Sequence, residues 1–314
     1  MVNESGNRGR LSSLVLARST VDRSSLIRAD NAKLDELWNS AHILVMINEL
    51  FVSSETHLRF FSAADLCGEG ERYFLGIHQE SGQSYFVWNS RDTSLQDALK
   101  VTEDDLKGLR QIGAVLSDLH AGLAAHALAL LHWHATHPRC SRCGEQTIIE
   151  LGGAMRVCPA DQSQHHPRTD PAIIVLVKDE DDRLLLGRQS IWPEKRFSNF
   201  AGFVEPGESF EQCVVREVAE ECGVLVHSVH YLGSQPWPFP ASIMIAFESV
   251  TSDPSTALAD GEEITEIRWY SREEMKKAVE DGELSLPPRI SVSRRMIEHW
   301  YGPNAQTELS RDGE

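Results

Sequence analysis

The sequence predicts an α/β protein in three parts. These are a C-terminal α/β/α sandwich with a mixed sheet, a small cysteine-bearing module before it, and a smaller N-terminal α+β domain. Three observations carry this reading. β-rich apolar runs at 171–190 and 226–271 surround one amphipathic helix at 209–222. Three of the six cysteines crowd into residues 140–158. Short strand-like runs fill 41–90, and 94–136 then turns helical, with Leu and Ala recurring every three or four residues and no proline.

Composition narrows the function classes. With 314 residues, the chain is long enough for more than one core. Its 30 Lys+Arg against 47 Asp+Glu give a net charge of −17, which argues against a protein that coats nucleic acid or lies on a membrane. No apolar run reaches the ~18 residues of a membrane span. The N-terminus, MVNESGNRGR, lacks the apolar stretch of a signal peptide, so a cytoplasmic protein with no membrane partner is expected. Clustered cysteines fit a metal site in a reducing compartment better than a disulfide framework.

In chain order, residues 1–137 make the N-terminal domain. HILVMINEL, HLRFFSA, RYFLGIHQE and QSYFVWN are its strand candidates, and the helical stretch ends in the His-rich LHWHATH, read as a helix end. Residues 138–168 hold Cys140-Ser-Arg-Cys143 and Cys158-Pro-Ala-Asp161. Two CxxC knuckles at that separation would signal a zinc ribbon. Here Asp161 stands at the fourth cysteine position, so Cys140, Cys143 and Cys158 with Asp161, His165 or His166 are the candidates for a structural Zn²⁺ site. Residues 169–304 form the sandwich. It starts with the hairpin AIIVLVKD–RLLLGRQ around the acidic turn 179–182, and helices are expected at 272–282 and 291–301. The tail 305–314, AQTELSRDGE, is expected to be disordered.

The richest stretch is 202–224, GFVEPGESFEQCVVREVAEECGV. Ser209 with Gln212 forms a capping box, Gly223 stops the helix, and Val214, Val215 and Val218 supply an apolar face. Glu217, Glu220 and Glu221, spaced i, i+3, i+4, fall on one face, where like charges repel unless a cation joins them. A charge run usually marks a solvated helix face. Hard oxygen donors converging in this way instead select Mg²⁺ or Mn²⁺. Arg216 is placed to tie the preceding loop through Glu208, since a guanidinium pairs bidentately with a carboxylate.

With Gly202, Glu208, Arg216-Glu217-Val218, Glu220-Glu221 and Gly223-Val224 at their fixed spacings, the stretch resembles the Nudix box. The resemblance implies hydrolysis of a nucleoside diphosphate linked to another moiety. Residues 234–242, SQPWPFPAS, follow the box by ten residues. Three prolines alternating with Trp237 and Phe239 make a stiff aromatic segment, unsuited to a central strand but suited to a flat ring. In this context it resembles the NADH pyrophosphatase, NudC-like, branch of Nudix hydrolases. Those enzymes carry an N-terminal domain and a zinc ribbon in the same order. The resemblance is detailed over 140–301 and architectural before that, and Asp161 is its departure.

It implies metal-dependent hydrolysis of NADH or NAD⁺ to nicotinamide mononucleotide and AMP. Glu217, Glu220 and Glu221 are assigned to Mg²⁺ or Mn²⁺, with either Glu220 or Glu221 as general base. Arg216 and Glu208 support them. Glu263 corresponds to a distal acid, and the Ala201 carbonyl is placed to complete the shell. Phe203 is assigned to stacking on nicotinamide. Gln235, Pro236, Trp237, Pro238, Phe239, Pro240, Ala241 and Ser242 are assigned to framing the ligand, with Ser293 as a late contact. His166 sits where the family reaches into a partner subunit, implying a homodimer. The alternatives are removal of an NAD cap from RNA 5′ ends by the same site, a non-catalytic nucleotide sensor, and a ribbon-type interaction module. Intact box carboxylates weigh against the sensor, and the incomplete ribbon weighs against the module.

Overall fold

The computed structural model describes residues 10–12 and 14–310. The chain forms two compact units. One joins the described residues up to Leu14 with Asp170–Gln235 and the chain from Ile243 onward. The other holds Val15–Thr169 and Pro236–Ser242.

The sheet of the first unit runs in the order His227–Trp237, Ser242–Thr251, Asp170–Asp179, Leu184–Gln189, Ile264–Tyr270, with Phe200–Phe203 also paired to Asp170–Asp179. The Asp170–Asp179 strand is antiparallel to Leu184–Gln189 and to Phe200–Phe203, and Leu184–Gln189 is antiparallel to Ile264–Tyr270. Side chains alternate between the faces of a strand. Ile174, Leu176, Leu184 and Leu186 therefore meet Met275, Val279, Met296 and Ile297 of the helices Arg272–Glu280 and Val292–Tyr301. Ile173, Val175, Val177 and Leu185 meet Cys213, Val214, Val218 and Cys222 of the helix Phe210–Cys222. This is the helix–sheet–helix sandwich, each fully buried aliphatic side chain contributing roughly 1.5–3 kcal/mol.

Both ends of the described residues enter this core. Leu14 is buried there, and the Leu11 amide donates to the Leu232 carbonyl at 2.8 Å, so the described N-terminal residues pack with the sandwich and not with the domain that follows them. The expected disordered tail is helical over Ala305–Glu308. Ala305 and Leu309 are buried, and the buried Arg294 donates to the Leu309 carbonyl at 2.9 Å, which gives these polar-looking residues a reason to order. Residues 311–314 lie outside the described residues.

The second unit is built on a mixed sheet in the order Val21–Asp22, Glu71–His78, Ser84–Ser90, His42–Ile47, Leu50–Val52, Leu106–Lys107, with Phe60–Phe61 also paired to His42–Ile47. His42–Ile47 is parallel to Ser84–Ser90 and antiparallel to its other partners. The stretch 94–136 is not continuously helical. It breaks into the helices Ser94–Leu99, Leu109–Ile112 and Asp118–Thr136, with the short strand Leu106–Lys107 between the first and the second. That strand pairs with Leu50–Val52 and buries Leu106, a tertiary contact that overrides local helical periodicity.

A three-stranded antiparallel sheet, Ile148–Glu150, Met155–Val157 and Gln164–His165, forms the cysteine module. His134, in the His-rich helix end, is buried. It shares a hydrogen bond with the Gly153 carbonyl, accepts from Arg156 at 2.9 Å and stacks on Tyr73 at 4.4 Å. Arg156 is itself buried and donates to Thr147 through Nε and Nη2, so its bond to His134 ties this module to the long helix.

Candidate active site

The helix Phe210–Cys222 starts on Ser209, whose hydroxyl accepts from the Gln212 amide while the Gln212 side chain accepts from the Ser209 amide. It ends at Gly223 in the left-handed region, φ 71°. The caps fix where the helix begins, and so where its acidic face points.

Arg216 makes a bidentate pair with Glu208, Nε–Oε1 and Nη2–Oε2 both at 2.9 Å, and donates to the Phe203 carbonyl at 3.1 Å. Its Nη1 lies 2.9 Å from both Glu217 and Glu220. One guanidinium thus holds the loop and neutralises part of the acidic face. The hydrogen bonds from Arg216 hold Glu208 down at about 2.

Glu221 is buried, and its Oε2 has no hydrogen-bond partner among the described residues. Burial, then the charges of Glu263 and Glu217, push its carboxyl up to about 8, against a hydrogen bond from the Ala201 backbone. Burial also raises Glu217, with Arg216 opposing and Glu220 and Glu263 adding to the rise. Glu263, 46 residues from Glu217 in sequence, is therefore within electrostatic reach of both acids, and Gln189 orients it with a 2.7 Å hydrogen bond. A Cβ on Gly202 would sit 1.9 Å from the Glu217 carboxyl, so only glycine leaves room for that carboxylate against the strand. An orphaned buried oxygen, mutually repelling acids and a cradle that a Cβ would fill together fit a divalent cation held by oxygen donors.

Phe203 is 61% exposed, although its strand Phe200–Phe203 begins in the core at Phe200. Ser293 is buried in a polar cluster, 2.8 Å from the Ser198 hydroxyl and accepting from the Asn199 side chain at 2.9 Å. Gln235 is fully buried and donates to the Ile290 carbonyl at 3.0 Å. Both act in the structure as internal ties. Trp237 ends the first strand of the sheet order, at an edge that tolerates Pro236. Pro238 is buried, and Trp237 packs edge-on to Phe239 with centroids 4.8 Å apart. Pro240 and Ala241 lead into Ser242 at the start of the next strand. His166 is exposed. Sequence reading did not name Gln189 or Asn199. Only strand register brings Gln189 opposite Ile264 and thus beside Glu263.

In the cysteine module, Cys140, Cys143, Cys158 and Asp161 present ligand atoms that all lie within 4.8 Å of one another. Cys143 and Cys158 sulfurs are 3.5 Å apart, and Cys140 Sγ is 3.8 Å from Asp161 Oδ2. Donors arranged tetrahedrally at ~2.3 Å from one ion stand about 3.8 Å apart, so the set fits a closed site. Ser163 hydrogen bonds hold Asp161 well below the usual carboxylate range, and His165 lies against the Ser163 hydroxyl.

Three family models match the chain: a NUDIX domain over 168–288, an NADH pyrophosphatase zinc ribbon domain over 135–165, and an NADH pyrophosphatase-like rudimentary NUDIX domain over 42–133. The chain is 38% identical to the NAD-capped RNA hydrolase NudC of Mycobacterium bovis, covering 96% of this chain and 99% of that protein. It is 37% identical to the protein of the same name from Mycobacterium tuberculosis over the same shares. Against the NAD-capped RNA hydrolase NUDT12 of Homo sapiens it is 38% identical over 60% of this chain and 43% of that protein. The chain belongs to the Nudix hydrolases and, within them, to the NADH pyrophosphatase, NudC-like, subfamily. Among the described residues, no helix is long and apolar enough to cross a membrane.

Proposed function

We propose that this chain hydrolyses the pyrophosphate of NADH or NAD⁺, giving AMP and nicotinamide mononucleotide (in its reduced form from NADH), and opens the same bond at NAD-capped RNA 5′ ends. The observation that carries this reading is the carboxylate cluster, with the unpartnered Glu221 oxygen repelled by Glu217 and Glu263. Full-length similarity to proteins named NAD-capped RNA hydrolase supports the RNA substrate.

Glu217, Glu220, Glu221 and Glu263 are the side chains that would hold Mg²⁺ or Mn²⁺, with the Ala201 carbonyl. When bound, the cation neutralises phosphate oxygens and lowers the pKa of water. Arg216 and Glu208 keep the loop and the acidic face in register. Glu220 or Glu221 accepts the proton of the attacking water, the phosphorus–oxygen bond of the bridge breaks, and the leaving phosphate takes the electron pair. Phe203 offers an exposed ring to nicotinamide, and Trp237 and Phe239 are a second stretch of stiff aromatic surface suited to a flat ring. Buried Gln235 and Ser293 act by positioning the chain around the ligand.

Cys140, Cys143, Cys158 and Asp161 hold a structural Zn²⁺ in this reading, with no open coordination position. The working assembly is a homodimer in the cytoplasm, which sedimentation and fractionation test.

The deciding experiment offers NADH, NAD⁺ and NAD-capped RNA in parallel with Mg²⁺ or Mn²⁺ and identifies products by chromatography. Nicotinamide mononucleotide, in its reduced form where NADH is offered, from any of them supports the reading. Folded, metal-supplied protein that cleaves none of them sinks it.

A further inference from the structure

The segment Pro236–Ser242 poses a structural problem. Three of its seven residues are prolines, which have no N–H to give to a sheet ladder. The Phe239 amide donates to the Trp237 carbonyl at 2.7 Å, and side-chain faces and carbonyls add further handles for fixing it. Within the unit that includes this segment, both kinds of handle are used. The Arg110 guanidinium lies over the Phe239 ring at 4.0 Å from its centroid and over Trp237 at 5.0 Å. His132, on the long helix, places Nδ1 3.2 Å from the Pro240 carbonyl oxygen, and its Nε2 is 3.5 Å from Glu49.

Arg110 is not an ordinary ion-pair residue. Among the described residues it makes no side-chain hydrogen bond or salt bridge, in a chain with 47 acidic residues to choose from. Its two aromatic contacts are what orient it. A flat guanidinium stacks on ring faces as a plate, and the proline backbone passes that constraint along the segment.

We propose that Arg110 is a positioning residue for the aromatic segment, clamping Phe239 and Trp237 while His132 holds Pro240, so that the N-terminal fold sets how the segment receives a ligand ring. This rests on the ligand-framing role given to the segment above. With Arg110 on one face of Phe239, a flat ligand ring stacks on the other.

The test uses the full chain with Arg110→Ala and Arg110→Lys. Hydrogen exchange, read by mass spectrometry at the amides of Trp237, Phe239 and Ala241, is expected to quicken roughly tenfold in Arg110→Ala, the size of one lost cation–π contact. The helix Phe210–Cys222 is expected to exchange as before. KM for NADH is expected to rise by about tenfold with kcat within about twofold, and Arg110→Lys, which keeps the charge but not the plate, to recover part of both effects. Unchanged exchange in Arg110→Ala overturns the proposal whatever the activity. So does a fall in kcat with KM unmoved. Wild-type protein inactive on NADH, NAD⁺ and NAD-capped RNA alike sinks the hydrolase reading instead, and the exchange data then decide the clamp alone.

Discussion

Two ligand clusters in this molecule solve opposite problems. Glu217, Glu220, Glu221 and Glu263 are hard, like-charged groups pressed together with a buried oxygen left unpartnered. Cys140, Cys143, Cys158 and Asp161 are four donors already at tetrahedral spacing, with Ser163 and backbone groups around them. The first is destabilised by its own like charges. The second is closed. Repulsion left unrelieved marks a place where chemistry is done, and geometry already satisfied marks a place where shape is kept.

The sharpest way to break the comparison is Glu217→Gln. Turnover is expected to fall by ~100-fold or more, because a carboxamide cannot replace a charged ligand of the metal, while the melting temperature stays within a few degrees. Near-normal turnover would remove Glu217 from the metal site. Cys158→Ser should behave in the opposite sense. Metal binding in such a module is folding energy, so loss of one thiolate is expected to lower stability by several kcal/mol, with bound zinc lost from elemental analysis. An unchanged melting temperature with no zinc in the wild type would show that the module folds without metal.

Gly202→Ala sharpens the first half of the comparison. The new Cβ displaces the Glu217 carboxyl, 1.9 Å from its ideal position, so activity is expected to drop about tenfold or more with little change in unfolding. Wild-type activity in this variant would mean that the strand or Glu217 gives way freely.

The smallest expected effect is a pH dependence centred on His134. Burial holds its folded pKa at about 4, below the ordinary value of 6.5. Between those values the unfolded chain binds the extra proton, so stability is fully present above about pH 6.5 and is lost as pH falls toward 4. Denaturant unfolding across that window should slope downward in the wild type and flatten in His134→Phe. Equal slopes would place the acid sensitivity elsewhere.

Much of the candidate site was legible because a helix is a local structure. Spacing alone put Glu217, Glu220 and Glu221 on one face, the capping pair Ser209–Gln212 set its start, and Arg216 with Glu208 closed its loop. The hairpin around residues 179–182 and the strands after the box were legible for the same reason. Ser293 and Gln235 show the limit. Sequence position marked them as ligand contacts, but burial against Asn199 and Ile290 is a fact of packing.

The sequence by itself determined the box helix and the three cysteines of the cysteine module, with the fourth donor left among Asp161, His165 and His166. Each rests on spacing within some twenty residues, where backbone geometry leaves few choices. Tertiary structure alone decided that Glu263 faces Glu221 with Gln189 beside it, that Leu14 and Leu309 share one core, that Leu106 breaks a helical run, and that Arg110 lies on Phe239. Those contacts join residues far apart in the chain. Their partners are chosen by the burial and charge of the whole fold, and no local pattern records them.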